Sequence, residues 1–164
     1  MGRFADNKGW YTASAKDASA ELGGGDRVLA LKLDVTDRAD FASAADAAEA
    51  RFGKIDVLVN NAALYAPLQE TKCTEIDAAL WDKVMAVNVK GPLLCTRGVL
   101  PAMRHRAFGR IVNVSSMGAY MRGGAYATSK AALNHLTWNL AHEAGDGITV
   151  NAVAPGGVQN EAPR

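Results

Sequence analysis

Tyr126 and Lys130 stand four residues apart in Tyr126-Ala127-Thr128-Ser129-Lys130, a spacing that on a helix sets a phenol beside an ammonium. A free tyrosine ionises near pH 10, so a phenol that exchanges protons near pH 7 needs a shift of about 3 units, or roughly 4 kcal/mol of selective phenolate stabilisation. A neighbouring ammonium works in that direction. The pair alone is common on exposed helices, so its meaning depends on what the fold brings to it. Other side chains with chemical capacity are Asp34, Asn60 with Asn61, Asn88, and Ser115 with Ser116. Cys73, Cys95, His105, His135 and His142 fit no metal-ligand spacing, and Ala141-His142-Glu143 lacks a second histidine, so no metal site is expected and both thiols are read as reduced and incidental.

Apolar runs of strand length alternate with segments of helical period. Candidate strands are 28–33, 55–59, 110–114 and 148–153. Thr36 or Asp37 can cap a helix whose apolar face is Phe41, Ala44, Ala45, Ala48 and Phe52, with Gly53 as its stop. A long helical region over 76–104 should kink at Gly91-Pro92, and a helix over 126–144 carries Ala127, Leu133, Leu136 and Leu140 on one face before Gly145 ends it. Strand and helix in alternation predict right-handed crossovers, a parallel sheet and one α/β domain over 1–164. In such sheets ligands collect at the carboxyl ends of strands, which here carry Asp34, Asn60, Ser116 and Pro155-Gly156.

The chain has 164 residues, 49% hydrophobic and 21% charged, with net charge +1. That balance lacks the basic footprint of a nucleic-acid binder, and no apolar run approaches the roughly 20 residues that span a bilayer. The amino terminus, Met1-Gly2-Arg3-Phe4-Ala5-Asp6, has no apolar signal core, which points to the cytoplasm.

Asn60-Asn61-Ala62-Ala63, Asn88-Val89-Lys90-Gly91, Ile111-Val112-Asn113-Val114-Ser115-Ser116, Tyr126-x-x-x-Lys130 and Pro155-Gly156 occur in this order. As a set, from about residue 26 onward, they resemble the short-chain dehydrogenase/reductase family, with its Rossmann-like three-layer fold. The resemblance implies an NAD- or NADP-dependent oxidoreductase acting on a small carbonyl compound or secondary alcohol. It implies that Tyr126 is the general acid/base and that Lys130 favours the phenolate and holds the nicotinamide ribose. Ser116 would hydrogen-bond the substrate oxygen, with Ser115 as the fallback donor. Asn88 would hold a water linking Lys130 to solvent. Cofactor contacts would come from Asp34 and Val35 at the adenine, from Asn60, Ala62 and Ala63 beside the ribose, from Tyr126 and Lys130, and from Pro155 and Gly156 at the nicotinamide. Homo-oligomer contacts are implied for the helices at 76–104 and 126–144.

Several residues depart from the family pattern. Ala63 replaces a common glycine, Ser116 lies only ten residues before Tyr126, and Asn160 stands where a threonine is frequent. The family's Thr-Gly-x-x-x-Gly-x-Gly phosphate turn has no counterpart, since Gly23-Gly24-Gly25 precedes a candidate strand and reads as a helix stop. The sequence is therefore read as truncated at both ends relative to the family, with its first two strands and last strand absent and residues 1–14 unassigned. Binding of the dinucleotide by this chain alone would then lack a phosphate cradle. On that reading strand 28–33 lies beside 55–59 and all crossover helices fall on one face. Leu29, Leu31, Val57, Val59 and Val112 are then left on an open face, which favours instability, self-association or a partner. The alternative function is a catalytically silent homologue acting as an oligomerisation or interaction module. An unrelated Rossmann-like protein such as a methyltransferase would leave Asn88, Ser116, Tyr126 and Lys130 to coincidence.

Overall fold

The chain is described by a computed structural model covering residues 19–65 and 72–157. Residues 1–14 and Asn160, considered above, lie outside the described residues. Three strands pair in parallel in the order β1 (Val57–Asn60), β2 (Gly109–Val114) and β3 (Ile148–Val153). In-register partners such as Asn60 with Asn113 and Val114 with Val153 bring the strands' carboxyl ends to one edge. The three observed strands match the predicted ones to within two residues.

Helices supply the crossovers. In α1 (Arg38–Phe52) the Asp37 carboxylate accepts from the amides of Ala39 and Asp40, and Gly53 closes the last turn in the left-handed conformation at φ 84°. The predicted 76–104 helix is three pieces: α2 (Ala78–Met85), a π-helical turn over Ala86–Lys90, and α3 (Gly91–Arg106). The irregularity falls just before Gly91-Pro92, because Pro92 has no N–H to give the carbonyl of Asn88 four residues back. The last helix is α4 (Ala125–Glu143).

Burial alternates along β2: Gly109, Ile111 and Asn113 are buried, and Arg110, Val112 and Val114 are half-buried. The buried face meets α1, α3 and α4 through a core that includes Phe41, Val99, Met103, Ile111, Leu140 and Ile148. On the other face Val57 and Val59 remain 54% and 55% exposed. Of the expected open face, Val57 and Val59 are therefore exposed, whereas Val112 is half-buried.

One expected strand is not observed. Residues 28–33 form no ladder with β1 or any other described strand. A strand needs a hydrogen-bonded neighbour, and this segment has none among the described residues; instead Leu33 and Val35 pack onto the core while Leu29 and Leu31 stay exposed. Gly23-Gly24-Gly25 does end a helical turn, with the Gly24 amide on the Ser19 carbonyl at 2.8 Å. No helix among the described residues is long and apolar enough to cross a membrane.

A buried polar ladder ties sheet to helix. The Asn60 amide donates to Asn113 Oδ1 at 2.8 Å, Asn113 Nδ2 donates to Thr137 Oγ1 at 2.9 Å, and Thr137 Oγ1 donates to the Leu133 carbonyl at 2.7 Å. Asn113 is fully buried, so removing it strands two polar partners. Asn113→Ala should lower unfolding stability by about 2–4 kcal/mol, whereas Val57→Thr on the open face should change it by less than about 0.5 kcal/mol. Urea titrations of both variants check this contrast.

Candidate functional site

Lys130 lies on the inner side of α4 and is only 2% exposed. Its ammonium donates to the Val114 carbonyl at the end of β2 at 2.6 Å, and burial lowers its pKa from 10.5 to about 8. One helical turn earlier, the Tyr126 ring has its centroid 5.6 Å from Lys130 Nζ. The helix spacing read from the sequence therefore delivers phenol and ammonium to one place.

The two serines separate cleanly. Ser115 is buried, with Oγ donating to the Lys130 carbonyl at 3.4 Å. Ser116 instead lines a cavity of about 260 Å³ together with Tyr126, Pro155 and Gly156. Its Oγ accepts from the Gly118 amide at 3.0 Å, which occupies a lone pair and leaves the hydroxyl proton for another acceptor. A methyl group on Gly118 would lie 3.3 Å from Ser116 Oγ and 3.8 Å from Tyr126 Cε1, so both side chains border one small space. The Met117 amide donates to the Pro155 carbonyl at 3.0 Å, holding the loop after β3 against this cavity. The short Ser116-to-Tyr126 interval is taken up by a 3-10 turn over Met117–Tyr120.

Asn88 is fully buried in the π-helical turn. Its Oδ1 accepts from the Leu64 amide at 2.7 Å, and its Nδ2 donates to the Leu64 carbonyl at 3.0 Å and to Ser129 Oγ at 2.9 Å. The side chain thus clamps the loop after β1 to α4. Tyr65, next along that loop, meets Tyr126 edge-on, with centroids 4.8 Å apart and an interplanar angle of 68°. Leu64, Tyr65, Gly118 and Ser129 belong to the site through contacts that residue type and spacing do not announce. Tyr65 carries a usable signal, as an aromatic in the loop that follows the polar end of a strand.

A second cavity, about 380 Å³, is lined by Asp34, Val35, Ala62 and Ala63 with Lys32 and Lys83. The Asp34 carboxylate accepts from the Thr36 hydroxyl at 2.7 Å and amide at 2.8 Å, and these bonds lower its pKa below the usual carboxylate value. Asn60 is not on this cavity; its amide is committed to Asn113, and it borders a third, more apolar hollow. Cys73 is exposed and Cys95 buried, both free, and burial pushes the Cys95 thiol up to about 11.

Comparison with known proteins places the chain. The family model described as short chain dehydrogenase matches residues 8–163. The match starts well before residue 26, so part of the segment left unassigned from the sequence falls within it. A 2-(R)-hydroxypropyl-CoM dehydrogenase of Xanthobacter autotrophicus is 42% identical over 138 residues, covering 82% of this chain and 55% of that protein. A cis-4-hydroxycyclohexanecarboxylate dehydrogenase of Sinomonas cyclohexanicum is 40% identical, covering 80% of this chain and 54% of that protein. The crystal structure of a short-chain dehydrogenase from Streptomyces avermitilis superposes with TM-score 0.79 at 37% identity, over 90% of this chain and 54% of that one. The chain thus spans about half the length of the curated relatives it matches.

Two outcomes follow from the buried groups. Asn88→Ala leaves the Leu64 amide and carbonyl without their partner and should cost about 2–4 kcal/mol in denaturant unfolding. For Lys130, the unfolded chain keeps its proton up to about pH 10.5 while the folded chain loses it near 8, so the unfolded state binds more protons in that window. Stability relative to Lys130→Met should therefore be flat below pH 8 and rise by up to about 3 kcal/mol as pH approaches 10.5. A difference that stays constant across this range in thermal unfolding contradicts the burial of the ammonium.

Proposed function

This chain belongs to the short-chain dehydrogenase family, and from that premise we propose that its site exchanges hydride between NAD or NADP and a carbonyl compound or secondary alcohol. The observation that carries the reading is the space bordered jointly by Tyr126 and Ser116, with the desolvated Lys130 ammonium one helical turn away. Two relatives named as dehydrogenases of hydroxy compounds support the same reaction class.

The residues fit the cofactor at two ends. The cavity at Asp34, Val35, Ala62 and Ala63 suits the adenosine end, and Tyr126, Lys130, Pro155 and Gly156 suit the nicotinamide riboside end. Among the described residues no glycine-rich turn stands ready for the pyrophosphate. When bound, the cofactor supplies or takes up hydride. In reduction, Tyr126 gives its hydroxyl proton to the carbonyl oxygen while Ser116 donates a hydrogen bond to that same atom. Both interactions strengthen as the oxygen gains negative charge, so they favour the transition state over the ground state. Lys130 stabilises the phenolate left behind. Asn88 sits where its backbone carbonyl lacks the usual helical donor and can hold the water that returns a proton.

We place this activity in the cytoplasm, with homo-oligomer contacts on the helices at 76–104 and 126–144, where Trp138 of α4 is 70% exposed. The test is NADH- and NADPH-dependent reduction of a ketone panel by the purified chain, with thermal shift as the binding readout. Tyr126→Phe should lower turnover by about 10²–10⁴-fold while the cofactor-dependent thermal shift persists. Unchanged turnover in that variant, or a folded chain that neither coenzyme stabilises, contradicts the proposal.

A further inference from the structure

The cavity beside Tyr126 and Ser116 has an uneven lining. Tyr65 and Met117 form its apolar walls, about half exposed, and Met121 at its mouth is 60% exposed. Tyr120, in the same loop, is more exposed still. Large apolar side chains gathered around a hollow, two of them methionines, suit a bulky apolar body of adaptable shape.

The charge is equally uneven. Arg122 is the one charged side chain among the described residues that line this cavity, and no described carboxylate is part of that lining. Arg122 makes no ion pair or side-chain hydrogen bond with any described residue. The buried Lys130 ammonium, 5.6 Å from the centroid of the Tyr126 ring, adds a second positive charge near the cavity. A guanidinium at the rim offers a planar fork that fits a carboxylate in two parallel hydrogen bonds.

We propose that this site takes an anionic substrate: a ketone or secondary alcohol on an apolar body whose carboxylate, or similar oxyanion, is held by Arg122 while Tyr65, Met117 and Met121 enclose the body. The inference rests on the oxidoreductase reading for the position of the reacting oxygen, between Tyr126 and Ser116. Arg122 sets specificity and takes no part in proton transfer. Because Arg122 is exposed, water and salt weaken its attraction, and the discrimination is of modest size.

The experiment measures binding of 4-acetylbenzoate and the uncharged, similarly shaped 4-acetylbenzamide to the full chain by ligand-observed NMR, with and without NADH. The expected result is binding of the carboxylate about tenfold tighter than the amide, an advantage lost in Arg122→Met, reduced in Arg122→Lys and narrowed by added salt. Equal binding of the two probes, an advantage that survives Arg122→Met, or no binding of either overturns the inference. NADH is followed in the same samples through its own resonances. If it binds while the probes fail to discriminate, only the substrate class is wrong; if it does not bind to folded chain, the oxidoreductase reading falls as well.

Discussion

The ammonium of Lys130, taken out of water and bonded to the Val114 carbonyl, is the constraint around which the site is arranged. Burying a charge costs several kcal/mol unless good partners offset it. That cost is accepted at the point where α4 meets the carboxyl end of β2, and the bond ties the inner face of the helix to the strand end. With the helix set, Tyr126 one turn earlier faces the Ser116 loop, and Ser129 meets Asn88. Asn88 in turn clamps Leu64, which brings Tyr65 against the Tyr126 ring. A chain of hydrogen bonds thus runs from α4 through the π-helical turn to the loop after β1.

The sheet beneath has one dressed face. Asn60, Asn113 and Thr137 join two strands to α4 by polar bonds, while Phe41, Met103, Ile111 and Ile148 supply the apolar contact. The opposite face presents Val57 and Val59. The chemistry sits at the strand ends, above the covered face and away from the open one.

Much of this was legible in residue order. The Tyr126 to Lys130 spacing, the Asp37 cap, the Gly53 stop and the β2 and β3 runs depend on local periodicity and capping, which one sequence carries well. Segment 28–33 has the apolar composition of a strand and yet pairs with no described strand, because composition marks a segment able to pair, whereas pairing depends on a neighbour that local sequence does not reveal. The kink was expected from Pro92, but the π-helical turn moved it upstream, to the carbonyl the proline fails to serve. The resemblance implies a place for Asn60 beside the cofactor ribose; the bond of its side chain to Asn113 depends on cross-strand register, which local sequence does not carry. Tyr65 and Gly118 went unread because their significance lies in contacts with Tyr126 and Ser116, distant in sequence.

The most direct measurement is the titration of Lys130 itself, by NMR of the chain carrying lysine labelled with carbon-13 at Cε, with Lys130→Met assigning the resonance. An ammonium buried against the Val114 carbonyl should titrate with a midpoint near 8. A midpoint at the ordinary lysine value of 10.5 would place it in water and remove the constraint on which the site depends.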